Sequence, residues 1–122
     1  MSVYVTVRGW VEFARDDLTR VKEIVAKSSD GHYSGGWGFP GKSVNWTSFA
    51  FYGGDLQEGD VSWLYDQLVE IAALPNSGED DFGVQGLFLV TAEMGGMVEW
   101  QIRGGAVYVV NSDERHQYLG PF

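Results

Sequence analysis

The only complete match to a catalytic motif in the 122-residue chain is a phosphate-loop pattern in a glycine-rich stretch. Gly36, Gly41, Lys42 and Ser43 fit G-x-x-x-x-G-K-[ST], in which backbone N–H groups and a lysine bind the phosphates of a nucleotide. That chemistry needs a strand before the loop and a helix after it, so that the helix N-terminus faces the anion. The residues before Gly36 have no strand pattern, and residues 44–52 alternate like a strand. We therefore predict that the match is accidental.

Histidines and carboxylates give no comparable motif. His32 and His116 are far apart in the sequence and have no metal-ligand spacing. Glu79, Asp80 and Asp81 are consecutive, whereas calcium loops place their ligands at alternate positions. The sequence therefore predicts no metal site, no cofactor and no catalytic residue.

Large aromatic side chains in the glycine-rich stretch instead indicate binding. Tyr33, Trp37 and Phe39 lie in a predicted loop, and Trp and Tyr are frequent hot spots of protein interfaces. The alternative is that the loop folds back and these rings cap one end of the core. The predicted partner-binding residues combine this loop with acidic residues: Tyr33, Trp37, Asp55, Glu58, Glu79, Asp80 and Asp81.

Charge narrows the class of partner. The formal net charge of −9 argues against binding to nucleic acid or to anionic lipid, because both are themselves negative. A charge of this sign favours a basic protein as partner. The chain has no cysteine, no signal-peptide pattern and no apolar run near the roughly 20 residues that span a bilayer, so we predict a cytoplasmic location.

Hydrophobic periodicity predicts one α+β (or α/β) domain over residues 1–122. The predicted helices cover residues 16–28 and 60–74, and the predicted strands cover residues 3–13, 46–52, 84–92, 98–103 and 106–110. Gly53-Gly54 is expected to end the second strand, and Gly104-Gly105 to form a hairpin turn. This order predicts a single mixed sheet of about five strands with both helices packed on one face. The predicted core residues are Val5, Val7, Phe49, Phe51, Leu64, Leu68, Phe88 and Trp100.

Two segments, GHYSGGWGFP and GMVEWQIRGGAVYVV, together with small size, acidity and lack of cysteine, carry a resemblance to a known group. The chain resembles the small cytoplasmic immunity proteins of bacterial toxin systems, including contact-dependent inhibition and other polymorphic toxins. The resemblance implies a non-enzymatic protein that neutralises a cognate toxin, such as a nuclease with a basic active site, by tight one-to-one binding. The alternatives are a small enzyme that uses carboxylates and His32, and a phage-type accessory structural protein without a ligand.

Overall fold

One antiparallel sheet with two α-helices on one face forms the fold, which confirms the predicted α+β class. The computed structural model describes residues 3–41, 46–75, 83–93, 95–112 and 114–119. The strands are β1 (Tyr4–Ala14), β2 (Trp37–Gly38), β3 (Thr47–Gln57), β4 (Gln85–Ala92), β5 (Met97–Arg103) and β6 (Ala106–Asn111). The α-helices are α1 (Leu18–Lys27) and α2 (Val61–Ala72). Short 3-10 helices cover Arg15–Asp17, Tyr33–Gly36, Glu58–Asp60 and Glu114–Leu119.

Strand β1 lies in the middle of the sheet, whose order is β2-β3-β1-β4-β5-β6. Successive side chains of a strand point to opposite faces, and those of β1 follow this rule. Its odd-numbered apolar side chains are buried against the α-helices, and we call this side of the sheet the helix face. Its even-numbered side chains, among them Arg8 and Trp10, point to the other side, which we call the open face.

The two α-helices pack on the helix face through apolar stripes. In α1 the stripe includes Val21 and Ile24, and in α2 it includes Leu64 and Leu68, which are fully buried. The ammonium group of Lys27 pairs with the carboxylate of Glu70 and links the two helices. In the described ranges, no helix has the length and apolar character that crossing a membrane requires.

The sheet has six strands and is entirely antiparallel, which corrects the prediction of a mixed sheet of about five strands. The additional strand is β2, which lies in the predicted glycine-rich loop and pairs with Tyr52 and Phe51 of β3. Gly53-Gly54 does not end β3, which runs on to Gln57. The pairing with β1 is continuous across both glycines. Its backbone hydrogen bonds stabilise the strand conformation, which glycine by itself disfavours.

The predicted burial of Phe49 and Phe51 is wrong. The side chains of Ser48, Ala50 and Tyr52 are buried on the helix face, and therefore the intervening rings point to the open face. Phe51 is 48% exposed. The other predicted core residues are buried as expected: Val5, Val7, Leu64, Leu68, Phe88 and Trp100.

Glycine is required at two places in the sheet, at a hairpin turn and at a close approach of two strands. Gly104 and Gly105 have φ angles of 57° and 81° and close the predicted two-residue hairpin between β5 and β6. Gly9 lies opposite Phe88 in the pairing of β1 with β4. A Cβ atom at Gly9 would lie 2.2 Å from the Leu87 carbonyl oxygen and 2.6 Å from the Phe88 Cα. Only glycine therefore allows this approach of the two strands.

We expect Gly9→Ala to lower the free energy of unfolding by about 1–3 kcal/mol or more, because the added methyl group meets backbone that cannot move without disturbing β4. The matched control is Gly53→Ala in β3, where an added Cβ meets nothing within 4 Å. Urea unfolding followed by circular dichroism measures both variants. Equal stability of the two would contradict the close approach at Gly9.

Candidate binding site on the open face of the sheet

A row of side chains crosses the open face from β3 to β6. The strand register places Phe51 beside Trp10, Trp10 beside Leu87, Leu87 beside Gln101, and Gln101 beside Tyr108. We call these five residues the aromatic row. Strands lie about 4.8 Å apart, so a row across five strands is about 19 Å long. That length matches a short peptide segment or one face of a helix.

The three rings of the aromatic row are substantially exposed: Phe51 by 48%, Trp10 by 41% and Tyr108 by 42%. Phe49, the next open-face residue of β3, stacks on Phe51 with ring centroids 6.2 Å apart. Neighbouring exposed aromatic side chains on one surface mark sites of interaction with other molecules. Because they stand on paired strands, their positions are fixed before any partner binds.

The 3-10 helix Glu114–Leu119 lies beside the aromatic row on the same face. The guanidinium group of Arg8 donates a hydrogen bond to the Leu119 carbonyl oxygen, and His116 Nε2 lies 3.9 Å from Glu99 Oε2. The register joins Arg8 to Leu89 and Leu89 to Glu99, so the segment follows the row of side chains next to the aromatic row. The 3-10 helix leaves Glu99 only 8% exposed and lies along one side of the aromatic row.

Polar contacts along β5 hold the Tyr108 end of the aromatic row. Gln101 Nε2 donates to Glu99 Oε1 at 3.3 Å, and Arg103 Nε donates to Gln101 Oε1 at 3.2 Å. The Arg103 guanidinium lies 4.1 Å from the centre of the Tyr108 ring, in the geometry of a cation–π contact. These contacts restrain Tyr108 and place one positive charge at this end of the row.

The loop aromatics predicted from sequence are half-buried at one end of the core. The Tyr33 hydroxyl donates to Asp60 Oδ2 at 2.9 Å and accepts from the Gln57 backbone N–H at 3.3 Å. The Tyr52 hydroxyl donates to the Tyr33 carbonyl oxygen at 2.9 Å. Burial, together with the nearby Asp30 carboxylate, raises the pKa of Tyr52 to about 12, so this hydroxyl stays protonated at neutral pH.

Trp37 is part of the same end of the core. Its indole N–H donates to Gln67 Oε1 at 2.9 Å, and its ring meets the Tyr52 ring edge to face at 5.3 Å. The structure therefore agrees with the alternative in which the glycine-rich stretch folds back and its rings cap the core.

The predicted acidic residues divide into two groups. Asp55 and Glu58 are exposed, and each lies within two residues of Gln57, whose backbone N–H donates to the Tyr33 hydroxyl. Asp55 Oδ1 accepts a hydrogen bond from the Thr6 hydroxyl on the open face. In the part of the chain that the structure describes, neither Asp55 nor Glu58 forms an ion pair with lysine or arginine. Glu79, Asp80 and Asp81 lie outside the described residues.

Asp30 organises the turn that precedes Tyr33. Its Oδ1 accepts hydrogen bonds from the backbone N–H groups of His32 at 2.9 Å and Ser34 at 3.0 Å, and its Oδ2 accepts from that of Tyr33 at 3.2 Å. Desolvation raises the pKa of this carboxylate, but the backbone hydrogen bonds and the Ser34 hydroxyl outweigh it and lower the pKa of Asp30 to about 2.

The structural setting of the phosphate-loop motif confirms that a strand follows it. Gly36 ends a 3-10 helix, β2 lies inside the motif, and β3 is the next described element after it, where a nucleotide site would need a helix. Lys42 and Ser43 lie outside the described residues. Within those ranges, no three His, Asp or Glu side chains are grouped so that they could hold a metal ion.

Sequence reasoning missed the aromatic row. Trp10 lies on the same side of β1 as Arg8 and Glu12, and a tryptophan on the polar side of a strand is the sequence signal that could have found it. Phe51 was missed because it was assigned to the core.

Comparisons with protein-family models, curated proteins and solved structures gave no significant match. The proposal about function therefore rests on the open face of the sheet.

We expect Trp37→Phe to lower the free energy of unfolding by about 1–3 kcal/mol, because it removes the donor to Gln67 Oε1, whose residue is only 2% exposed. The control is Trp46→Phe, since Trp46 is 78% exposed and its loss should change stability by less than about 0.5 kcal/mol. Chemical denaturation measures both. A Trp37→Phe variant as stable as the Trp46→Phe variant would show that the hydrogen bond does not hold the cap.

The lowered pKa of Asp30 predicts a contribution to the free energy of unfolding that is lost in acid. Its folded-state pKa is depressed from 3.8 to about 2, so the contribution is fully present above pH 3.8 and is lost as the pH falls through 2. Asp30→Asn removes the titrating group, so the loss of stability between these pH values should be smaller than in the parent. Urea unfolding at a series of pH values checks this, and identical pH profiles would contradict it.

Proposed function

We propose that the protein is a non-enzymatic binding protein that holds a protein partner on the open face, along the aromatic row. The observation that carries this proposal is the exposure of Phe51, Trp10 and Tyr108 in one register-defined row. Rings on paired strands are already ordered, so binding costs little further conformational entropy. The adjacent 3-10 helix, with Tyr118 77% exposed, adds a raised edge against which a partner can pack.

Charge supplies the second part of the proposal. With a net charge of −9, the protein attracts basic proteins over distances comparable to the Debye length. Asp55 lies on the open face and on the same strand as Phe51, and Glu58 follows in the next turn. In this scheme the acids accelerate encounter and the aromatic row slows dissociation.

Within this proposal the partner is a cognate bacterial toxin and the protein is its immunity protein, acting in the cytoplasm. Size, acidity and the resemblance to immunity proteins support this choice of partner. Mechanistically, neutralisation is blockade: the open face covers a basic functional surface of the toxin, and no chemical step on the immunity protein is needed. Toxins that act on nucleic acid have such surfaces, because their substrate is negative.

The probe for the test is the protein encoded by the open reading frame next to the one for this chain. We expect it to be toxic when produced alone and harmless when this chain is co-produced. In surface plasmon resonance, Trp10→Ala and Phe51→Ala should each raise Kd roughly 30-fold, which corresponds to about 2 kcal/mol, through faster dissociation. The control is Val69→Ala, which removes a 42%-exposed side chain from α2 on the other side of the sheet.

Charge reversal separates the two roles. Asp55→Lys combined with Glu58→Lys should slow association and reduce its salt dependence while leaving the dissociation rate nearly unchanged. If both ring variants fold and bind like the parent, the aromatic row is not the binding site. If the neighbouring gene product is neither toxic nor bound, the immunity role is wrong.

A further inference from the structure

We infer that the outer edge of β6 pairs with β6 of a second copy of this chain, forming an antiparallel two-fold dimer centred on Val109. The inference concerns the sheet edge, and it is independent of the aromatic row and of the proposed toxin partner.

Strand β6 is the last strand of the sheet, and among the described residues one side of its backbone pairs with no other strand. The Ser112 N–H donates to the Met97 carbonyl oxygen at 3.2 Å, which shows that even-numbered residues here direct their backbone groups toward β5. Backbone direction alternates along an antiparallel strand, so Val107, Val109 and Asn111 direct their N–H and C=O groups away from the sheet. Within the described ranges, no backbone hydrogen bond occupies these outward groups.

The chemistry of this edge favours pairing with another strand. Residues 106–111, AVYVVN, contain no charged residue, proline or glycine, which are the usual features that protect an edge strand. Val109 is 55% exposed, although it is β-branched and lies on a regular strand. At the opposite edge, β2 has only two residues, Trp37 and Gly38, and Pro40 follows closely, so that edge gives little template for pairing.

A second copy fits because the strand is complementary to itself. With the two-fold axis at Val109, each Val109 faces its copy, and Val107 faces Asn111 of the other copy, so every outward backbone group finds a partner. The two exposed Val109 side chains then cover each other, and no like charges are placed opposite one another. The described segment Glu114–Leu119 lies on the open face, where it contacts Arg8 and Glu99.

Both the strength and the salt dependence of the dimer follow from its size and charge. Six paired residues form an interface smaller than the roughly 1,200 Å² typical of stable complexes, so we expect micromolar dissociation. Each copy has a charge of −9, and their repulsion is screened by salt. The dimer should therefore strengthen as NaCl is raised, whereas binding to a basic partner should weaken.

Sedimentation velocity of the full chain, over a micromolar to submillimolar concentration series at low and high NaCl, tests the inference. We expect a monomer–dimer equilibrium that shifts toward dimer at high salt. Val109→Pro removes an outward N–H that β5 does not use, and Val109→Glu places like charges at the two-fold axis; each should weaken dimerisation at least about tenfold. The charge-matched control is Ala26→Glu on the exposed side of α1.

Circular dichroism identifies variants that fail to fold. If Val109→Pro does not fold, Val109→Glu alone tests the inference. A monomer under all conditions overturns the inference, as does a dimer that both folded Val109 variants retain. A dimer lost on Trp10→Ala and retained in the Val109 variants would place the contact on the open face and would also overturn it. None of these results bears on toxin binding, which the plasmon resonance experiment measures separately.

Discussion

The contact between the Phe88 side chain and the backbone of Gly9 fixes the centre of the molecule. Phe88 is fully buried and lies directly opposite Gly9, and its ring takes the space that a side chain at that position would fill. A one-residue slip between β1 and β4 would place Arg8 or Trp10 opposite Phe88 and turn every side chain of the shifted strand to the other face. The register of the central pair, and with it the division of the sheet into two faces, depends on this contact.

The two faces then satisfy different requirements. On the helix face, α1 and α2 bury a continuous apolar layer, and the glycine-rich stretch closes one end of it through Tyr33 and Trp37. On the open face, cover comes only from the segment Glu114–Leu119 among the described elements, and it lies over Arg8 and Glu99. The rings of the aromatic row are left beside it. The large aromatic side chains therefore have two roles: some cap the core, and the others form an exposed surface.

The elements with strong local signals could be predicted from sequence. Alternation identified β1, helical stripes identified α1 and α2, and Gly104-Gly105 identified the last hairpin. Alternation in β3 identified a strand but not its orientation, because aromatic residues occupy one parity and the smaller Ser48 and Ala50 the other. Only the neighbouring strand β1 decides which parity meets the helices.

The candidate site on the open face could not be located from the sequence. Composition predicts exposed aromatic residues and excess negative charge, whereas the choice of Tyr33 and Trp37 depended on treating a glycine-rich stretch as an open loop. Their polar atoms find partners at Asp60 and Gln67, which are distant in the sequence. The aromatic row brings together residues from five strands, so no local window of sequence contains it.

The cover over the open face has a consequence for biosynthesis. Arg8 and Leu119 are 111 positions apart, so their contact closes nearly the longest loop that the described chain allows. The entropy of closing that loop must be overcome before the contact contributes any stability. During translation, β1 leaves the ribosome long before residues 114–119 have been made. The open face is therefore completed last, and Arg8 and Glu99 remain uncovered until residues 114–119 fold onto them.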